Sequence, residues 1–209
     1  MDQPSQPRFL LFEDHGCLVD GQAEAVARQL SIRFADRTHG SLLVFDADSG
    51  LQLDLDHSLQ AEQLEAQLLT LWTQRCAPAS PTPAAAPTVR RGPGRPKLGV
   101  VSREVTLLPR HWDWLNAQPG GASVSLRKLV EKARRATVGS DAKRRSQENA
   151  YRFINTLAGN LPAFEECCRA LYAGDRTRFA ELTQVWPGDV RSHAQRLAAA
   201  AFETIDPTA

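Results

Sequence analysis

The sequence predicts an α+β fold, with a small N-terminal unit that contains a β-hairpin and a mainly α-helical C-terminal part. Residues 51–56 ("LQLDLD") alternate strictly between apolar and polar side chains, which indicates a half-buried strand. Residues 143–198 carry apolar residues at helical spacing in several successive segments. Between these regions, residues 76–98 are rich in proline and alanine and basic at their end, which predicts an extended linker.

The N-terminal unit, residues 1–75, is predicted to contain two strand regions and two helices. The run "FLLFE" has the composition of a short strand, and the segment that follows it places apolar residues near a period of 3.6. The predicted elements are a strand at Phe9–Glu13, a helix at 22–36, a hairpin of Leu42–Asp46 with 51–56, and a second helix at 59–75.

The chain after the linker is predicted to form a basic unit, residues 99–138, and a helical bundle, residues 139–209. The basic unit contains a strand at 100–108, a short helix with Pro109 at its first position, and a helix at 123–136 capped by Ser123. Four further helices are predicted in the bundle, the first at 143–158. Short connections between them favour antiparallel neighbours.

The net charge of +1 conceals a strong division along the chain. Residues 1–89 hold 5 Lys/Arg and 12 Asp/Glu, whereas residues 90–145 hold 14 Lys/Arg and 4 Asp/Glu. Residues 146–209 hold 6 Lys/Arg and 8 Asp/Glu. A polyanion is therefore expected to be attracted to the middle segment and repelled by the first.

The stretch Gly94-Arg95-Pro96-Lys97 resembles the core of an AT-hook, which lies in the narrow minor groove of A·T-rich DNA. Proline keeps such a segment extended, and glycine allows close approach to the groove floor. The positive charge of arginine is attracted by the negative potential in the groove. The position before the glycine, where a hook has a second arginine, holds Pro93. The alternative interpretation is the basic end of a solubilising linker.

The basic unit resembles two kinds of DNA-binding domain, and the sequence leaves both open. In a ribbon-helix-helix domain the strands of two chains pair, but the register would direct Glu104, Thr106 and Leu108 at the DNA. In a helix-turn-helix domain the helix at 123–136 enters the major groove while Leu126, Leu129 and Val130 anchor it. An ordinary surface helix with a solvated basic face is the third interpretation.

The candidate nucleic-acid-binding residues are the cations of the linker end and of the basic unit. Lysine and arginine contact phosphates and displace condensed counterions. The predicted set is Arg90, Arg91, Arg95, Lys97, Arg103, Arg127, Lys128, Lys132, Arg134 and Arg135.

Three long segments together resemble a bacterial family catalogued as domain of unknown function 2239. They are "GRPKLGVVSREVTLLPRHWDWL", "QPGGASVSLRKLVEKARR" and "RALYAGDRTRFAELTQVWPGDVRSHAQRLA". The resemblance extends over nearly the whole chain, including the hairpin "LLVFDADSGLQLDLD". It implies family membership and no particular activity.

Several classes of function lack their sequence signals. There is no Gly-Lys-Ser/Thr phosphate loop, no Gly-x-Ser-x-Gly and no His-Glu-x-x-His, so we do not expect an enzyme. The four cysteines and five histidines show no metal-ligand spacing, and neither a metal nor another cofactor is expected. The sequence has no membrane-spanning run and no signal peptide, which predicts a cytoplasmic protein that makes no membrane contact.

These observations lead to two hypotheses. In the first, the chain is a DNA-binding protein, a transcriptional regulator or nucleoid-associated protein, that binds double-stranded DNA as a homodimer through residues 90–145. In the second, it is a protein-interaction scaffold whose basic segment contacts acidic protein surfaces, including the acidic N-terminal unit of the same or a neighbouring chain. No small-molecule substrate is identified.

Overall fold

The computed structural model describes residues 6–36, 39–56, 58–75 and 104–203 of the 209-residue chain. These residues belong to two compact units. The first combines the described residues up to 75 with residues 139–203, and the second is described over residues 104–138. The α+β class is confirmed. The N-terminal unit and the helical bundle, which the sequence analysis treats as separate segments, lie in one unit.

The described residues form four strands, which belong to one sheet, and seven α-helices. The strands are β1 (Phe9–Glu13), β2 (Gly16–Gly21), β3 (Leu42–Asp46) and β4 (Gln52–Leu53). The helices are α1 (Ala23–Ala35), α2 (Ala61–Arg75), α3 (Pro109–Asn116), α4 (Gly121–Leu157), α5 (Phe164–Ala173), α6 (Arg176–Leu182) and α7 (Gly188–Leu197), with 3-10 turns at Thr183–Val185 and Ala199–Phe202.

The four strands form one antiparallel sheet in the order β2-β1-β3-β4. Successive side chains of a strand point to opposite faces, and both faces of β1 are covered. Phe9 and Leu11 join a core with α1 and α2, whereas Leu10 and Phe12 join a second core with the helices that follow residue 139. Double coverage explains why "FLLF" is apolar without alternation.

Three phenylalanine rings join the sheet to the helices. The ring of Phe153 on α4 lies 5.6 Å from that of Phe12 on β1 and 5.2 Å from that of Phe45 on β3, measured between centroids. All three side chains are fully buried, and the pairs have edge-to-face geometry. The N-terminal sheet and the C-terminal helices therefore share one hydrophobic core.

The β3–β4 turn also packs against α4, and it requires a glycine. Gly50 has φ +64°, and a Cβ atom at this position would lie 2.5 Å from the backbone oxygen of Asn149. The side chain of Asn149 in turn donates to the backbone oxygen of Asp48 at 3.0 Å. The turn thus lies against the helix backbone at a distance that only glycine allows.

A buried serine holds the end of α7 against α4. The Ser146 hydroxyl donates to the backbone oxygen of Leu197 at 2.6 Å and accepts from the backbone N–H of Ala201 at 3.0 Å. One carbonyl and one N–H at the end of a helix are thereby paired, which such groups require when they are buried.

The structure differs from the predicted elements in four places. The predicted strand at 51–56 is limited to Gln52–Leu53. The strand β2 was not predicted, because its two glycines weaken the strand pattern. Residues 121–157 form one helix instead of separate helices at 123–136 and 143–158, since a single interior glycine costs only about 1 kcal/mol. Ser123 consequently lies inside the first turn. A strand was predicted at 100–108. Residues 104–108 do not form a strand, and residues 100–103 lie outside the described residues.

Candidate nucleic-acid interface

The described part of the second unit consists of two helices joined by a tight turn. Residues 117–120 connect α3 to α4, which matches the three to four residues of a helix-turn-helix connection. Gly120 and Gly121 have φ values of +88° and +71°, and a Cβ atom on Gly120 would lie 3.1 Å from Val124. The glycine pair in "QPGGAS" therefore sets the angle at which α4 begins.

The first four turns of α4 carry a cationic face. Arg127, Lys128, Lys132 and Arg135 are exposed and follow the i, i+1, i+5, i+8 spacing of one helix face. Arg134 is exposed at the margin of this face. All five predicted cations of α4 therefore lie together on one side of the helix.

One carboxylate lies within this face and pairs with two of the cations. Glu131 accepts from Arg134 at 3.0 Å and from Arg135 at 2.9 Å. Hydrogen bonds from Arg134 and then from Arg135 lower the pKa of Glu131, and Glu131 raises the pKa of Arg134. Such exposed pairs are weak, so a phosphate can replace the carboxylate at low cost.

Three cations of the face have no carboxylate partner among the described residues. Arg127 donates from Nε to the backbone oxygen of Ser123 at 3.1 Å, and Lys128 and Lys132 extend without an ion pair. Within the cationic face, these three side chains are the most available phosphate ligands.

The other predicted cations lie outside the described residues. They are Arg90, Arg91, Arg95, Lys97 and Arg103. The AT-hook resemblance and the linker at 76–98 fall in the same part of the chain, and both stay predictions.

The apolar side of α4 differs from the prediction. Leu129 and Val130, expected to anchor the helix, are 46% and 63% exposed, and Leu126 is half-buried. In the described part of this unit, Leu115 is the one large apolar side chain that is buried. Periodicity correctly predicts an amphipathic helix, but this unit supplies too few apolar neighbours to cover the apolar stripe.

The family comparison supports the resemblance noted in the sequence. A model of the family described as "Uncharacterized protein conserved in bacteria (DUF2239)" matches residues 8–198. The chain belongs to the DUF2239 family. No curated protein and no solved structure matches the chain significantly.

In the described residues of this DUF2239 member, no helix combines the length and the apolar character needed to cross a bilayer. The same residues contain no group of three or more His, Cys, Asp or Glu side chains arranged to hold a metal ion.

A second feature of this DUF2239 member, not predicted from the sequence, is a cavity of about 310 Å³ in the first unit. Asp189, Ser192, His193 and Arg196 line it from α7. Their spacing of i, i+3, i+4 and i+7 places them on one face of a helix. The sequence "DVRSHAQR" contains this polar spacing. The apolar residues of the same helix have an equally regular spacing, which predicts only the face that packs in the core.

The opposite wall of the cavity depends on a β-bulge. Cys17 and Asp20 are three residues apart in β2, a spacing that normally directs side chains to opposite faces. The pairing register shifts between Leu11 and Phe12, so that Cys17 lies opposite Phe12 and Asp20 opposite Leu10. Directly opposed residues share a face, and the bulge therefore brings the thiol and the carboxylate to the same cavity.

Hydrogen bonds connect the two walls. The backbone N–H of Cys17 donates to Asp189 at 2.9 Å, and Arg196 donates to Asp20 at 3.3 Å. Arg196 also donates to Nδ1 of His193, which leaves the proton of the neutral ring on Nε2.

Burial keeps both the imidazole and the thiol of the cavity neutral. Burial, with a smaller contribution from Arg196, lowers the pKa of His193 to about 4. Burial and then the charge of Asp189 raise the pKa of Cys17. A thiol nucleophile needs the opposite shift, so burial here makes the Cys17 thiol less nucleophilic.

Proposed function

We propose that this protein is a cytoplasmic DNA-binding protein of bacteria that contacts the phosphates of double-stranded DNA through the cationic face of α4. Its role is binding without catalysis, as in a transcriptional regulator or a nucleoid-associated protein. The observation that carries this proposal is the clustering of Arg127, Lys128 and Lys132, exposed and without carboxylate partners among the described residues.

The contact is expected to be electrostatic in the first place. Lysine and arginine release condensed counterions when they bind phosphates, and this term is independent of base sequence. Arg134 and Arg135 can exchange Glu131 for phosphate, since an exposed ion pair on one helix is weak. The cations of residues 90–103 extend the same contact in this proposal, with A·T-rich minor grooves as the target of Arg95.

The proposed active form is a homodimer whose contact includes the apolar stripe of α4. Leu129, Val130 and Trp114 are between 46% and 63% exposed, and Val105 and Leu108 are similarly exposed in the extended segment before α3. Several large apolar side chains exposed in one unit are typical of a protein–protein contact.

A second copy of this chain is the occupant that best fits this surface. In the described part of the second unit Leu115 is the one large buried apolar side chain, and so small a core is expected to need a partner to complete it. A ribbon-helix-helix domain has this property, because its core forms when two chains pair, whereas a helix-turn-helix domain would bury Leu129 and Val130 within one chain. The exposure of these two residues favours the paired arrangement.

A salt titration of DNA binding by the full-length chain tests the proposed function. If about five phosphates are contacted, log Kd against log salt concentration should have a slope of magnitude near 4 to 5. Fluorescence anisotropy with random and A·T-rich duplexes gives both the slope and the preference. Absence of binding at low salt, or binding that does not change with salt, would contradict the proposal and favour the scaffold hypothesis.

Replacing Val130 with glutamate is expected to convert the dimer to a monomer, because a charge would be buried at the proposed contact. Sedimentation velocity should show twice the chain mass for the unaltered protein and the single chain mass for V130E. The matched control is V185E, since Val185 is 66% exposed in the first unit. Dissociation by both substitutions, or by neither, would contradict a dimer contact through α4.

The second candidate is a scaffold whose basic face binds acidic protein surfaces. The contacts of Glu131 with Arg134 and Arg135 favour it, because they already show carboxylates as ligands of this face. The two candidates differ in their response to DNA, which the salt titration measures directly.

A further inference from the structure

The imidazole of His193 lies buried where α7 packs against β2 and α4. His193 is 5% exposed, and its ring centroid lies 4.5 Å from that of Phe153 on α4. Arg196 donates to Nδ1, whereas Nε2 is buried without a hydrogen-bond partner among the described residues. The surroundings therefore suit the neutral ring, because protonation would turn the one nitrogen that accepts a hydrogen bond into a second donor.

Arg196 connects this ring to β2. Its guanidinium donates to Nδ1 of His193 and to Asp20 at 3.3 Å, and Asp20 also accepts from Arg8 at 2.7 Å. Nδ1 accepts a hydrogen bond only while it carries no proton, so protonation of the ring removes its contact with Arg196 and places two cations side by side. The position of Arg196, and with it the contact to Asp20, therefore depends on the charge of His193.

The groups around the ring disfavour its protonation. Burial, and after it the charge of Arg196, lower the pKa of the ring to about 4, and Arg8 acts in the same direction. Asp20 acts in the opposite direction, but both arginines already pair with it. Asp189 and the neutral thiol of Cys17 line the adjoining cavity. The side chains that β1 and α4 contribute here carry no charge, and they are Leu10, Phe12 and Phe153.

We propose that His193 and Arg196 form an acid-sensitive latch between α7 and β2, closed while the imidazole is neutral and open when it is protonated. In the closed state Arg196 bridges the ring and Asp20, and Asp189 holds the backbone N–H of Cys17 at 2.9 Å. In the open state Nδ1 has taken a proton from solvent, and α7 has separated from β2. Because a cavity of about 310 Å³ already lies between the two elements, this separation breaks little packing.

The direction of the pH dependence follows from the pKa of the ring in the two states. The solvated ring of the open state has the ordinary pKa of 6.5, whereas the ring of the closed state has a pKa of about 4. The open state therefore binds more protons between these two values, so the closed state is favoured above pH 6.5 and loses this advantage as the pH falls toward 4. Between pH 7 and pH 5 the equilibrium constant for opening should rise about twentyfold.

Amide hydrogen exchange of the full-length chain, followed by NMR at pH 7 and pH 5, tests the latch. After correction for intrinsic exchange rates, the protection factor of the Cys17 amide, which donates to Asp189, should fall about twentyfold at pH 5. It should then lie below the protection factors of β1, the strand paired on both sides within the sheet. An unchanged Cys17 amide, or a Cys17 amide as protected as β1 at pH 5, would overturn the proposal, because the ring would then reach solvent only by global unfolding.

Replacing His193 with asparagine identifies the residue responsible. The amide oxygen of H193N takes about the position of Nδ1 and can still accept from Arg196, but the side chain does not titrate. We expect most of the twentyfold fall at Cys17 to disappear in H193N. The matched control is H111N, because His111 is exposed on α3 in the second unit. A fall retained in full by H193N, or lost equally in H111N, would overturn the assignment.

A titration of the His193 ring in the unaltered chain keeps the test independent of the folding of a variant. The ring resonances should show a neutral imidazole at pH 5, and an ordinary titration near pH 6.5 would overturn the proposal. No DNA is present in these assays. Their outcome is therefore independent of whether the proposed DNA contact exists.

Discussion

Replacing Arg127, Lys128 and Lys132 together with alanine is expected to weaken DNA binding on the order of a hundredfold at moderate salt. The three side chains are the members of the cationic face of α4 that have no carboxylate partner in the described part of the chain. Each lost phosphate contact should also lower the magnitude of the salt slope by about 0.9. Anisotropy titrations at several salt concentrations measure both quantities.

The matched control for this triple variant removes three arginines of the first unit. Arg169, Arg176 and Arg178 are exposed on α5 and α6, so their replacement with alanine changes the net charge by the same amount. Alanine is the best helix former and preserves the helices in both variants. If the control loses as much affinity as the α4 variant, net charge and not the face of α4 determines binding, and the proposed interface is wrong.

Replacing Phe153 with alanine is expected to lower the free energy of unfolding by about 3–5 kcal/mol, the usual cost of truncating a fully buried phenylalanine. Phe153 has no exposed surface and contacts the rings of Phe12, Phe45 and His193. Because these contacts join strands to helices, the loss should affect the sheet and the helices together. Urea unfolding followed by circular dichroism and by tryptophan fluorescence measures the change.

The control for Phe153 is a nearby aromatic residue on the same helix. Tyr151 is 38% exposed and belongs to neither hydrophobic core, so Y151A should cost less than F153A. A loss in F153A no larger than that in Y151A would show that the shared aromatic core contributes little.

The local patterns of the sequence predicted most of the elements but not their partners. The run "FLLFE" and the periodicity of α1 and α2 identified strand and helices correctly. Apolar periodicity shows that a helix has an apolar face. It led to the prediction that Leu129 and Val130 are covered by other residues of the same chain. Their exposure could not be predicted, because coverage depends on residues distant in sequence or on another molecule.

The candidate sites differ in how visible they are in the sequence. The five cations of the α4 face are close together in the sequence, and all five are among the candidates that the sequence predicts. The pairing of Glu131 with two of them was not predicted, although the i, i+3 and i, i+4 spacings allow it. Cys17 and Asp20 could not have been assigned to one cavity from the sequence. Residues three apart in a regular strand point to opposite faces, and these two share a face only because of a β-bulge.

The first unit is discontinuous in sequence, and this order affects its synthesis on the ribosome. Phe12 and Phe45 emerge early, but Phe153, which covers them, follows Phe45 by 108 positions. At a translation rate of roughly 5–20 residues per second, one face of the sheet is without its cover for about 5 to 20 seconds. During this interval, the nascent chain presents an apolar β-surface of the kind that molecular chaperones bind.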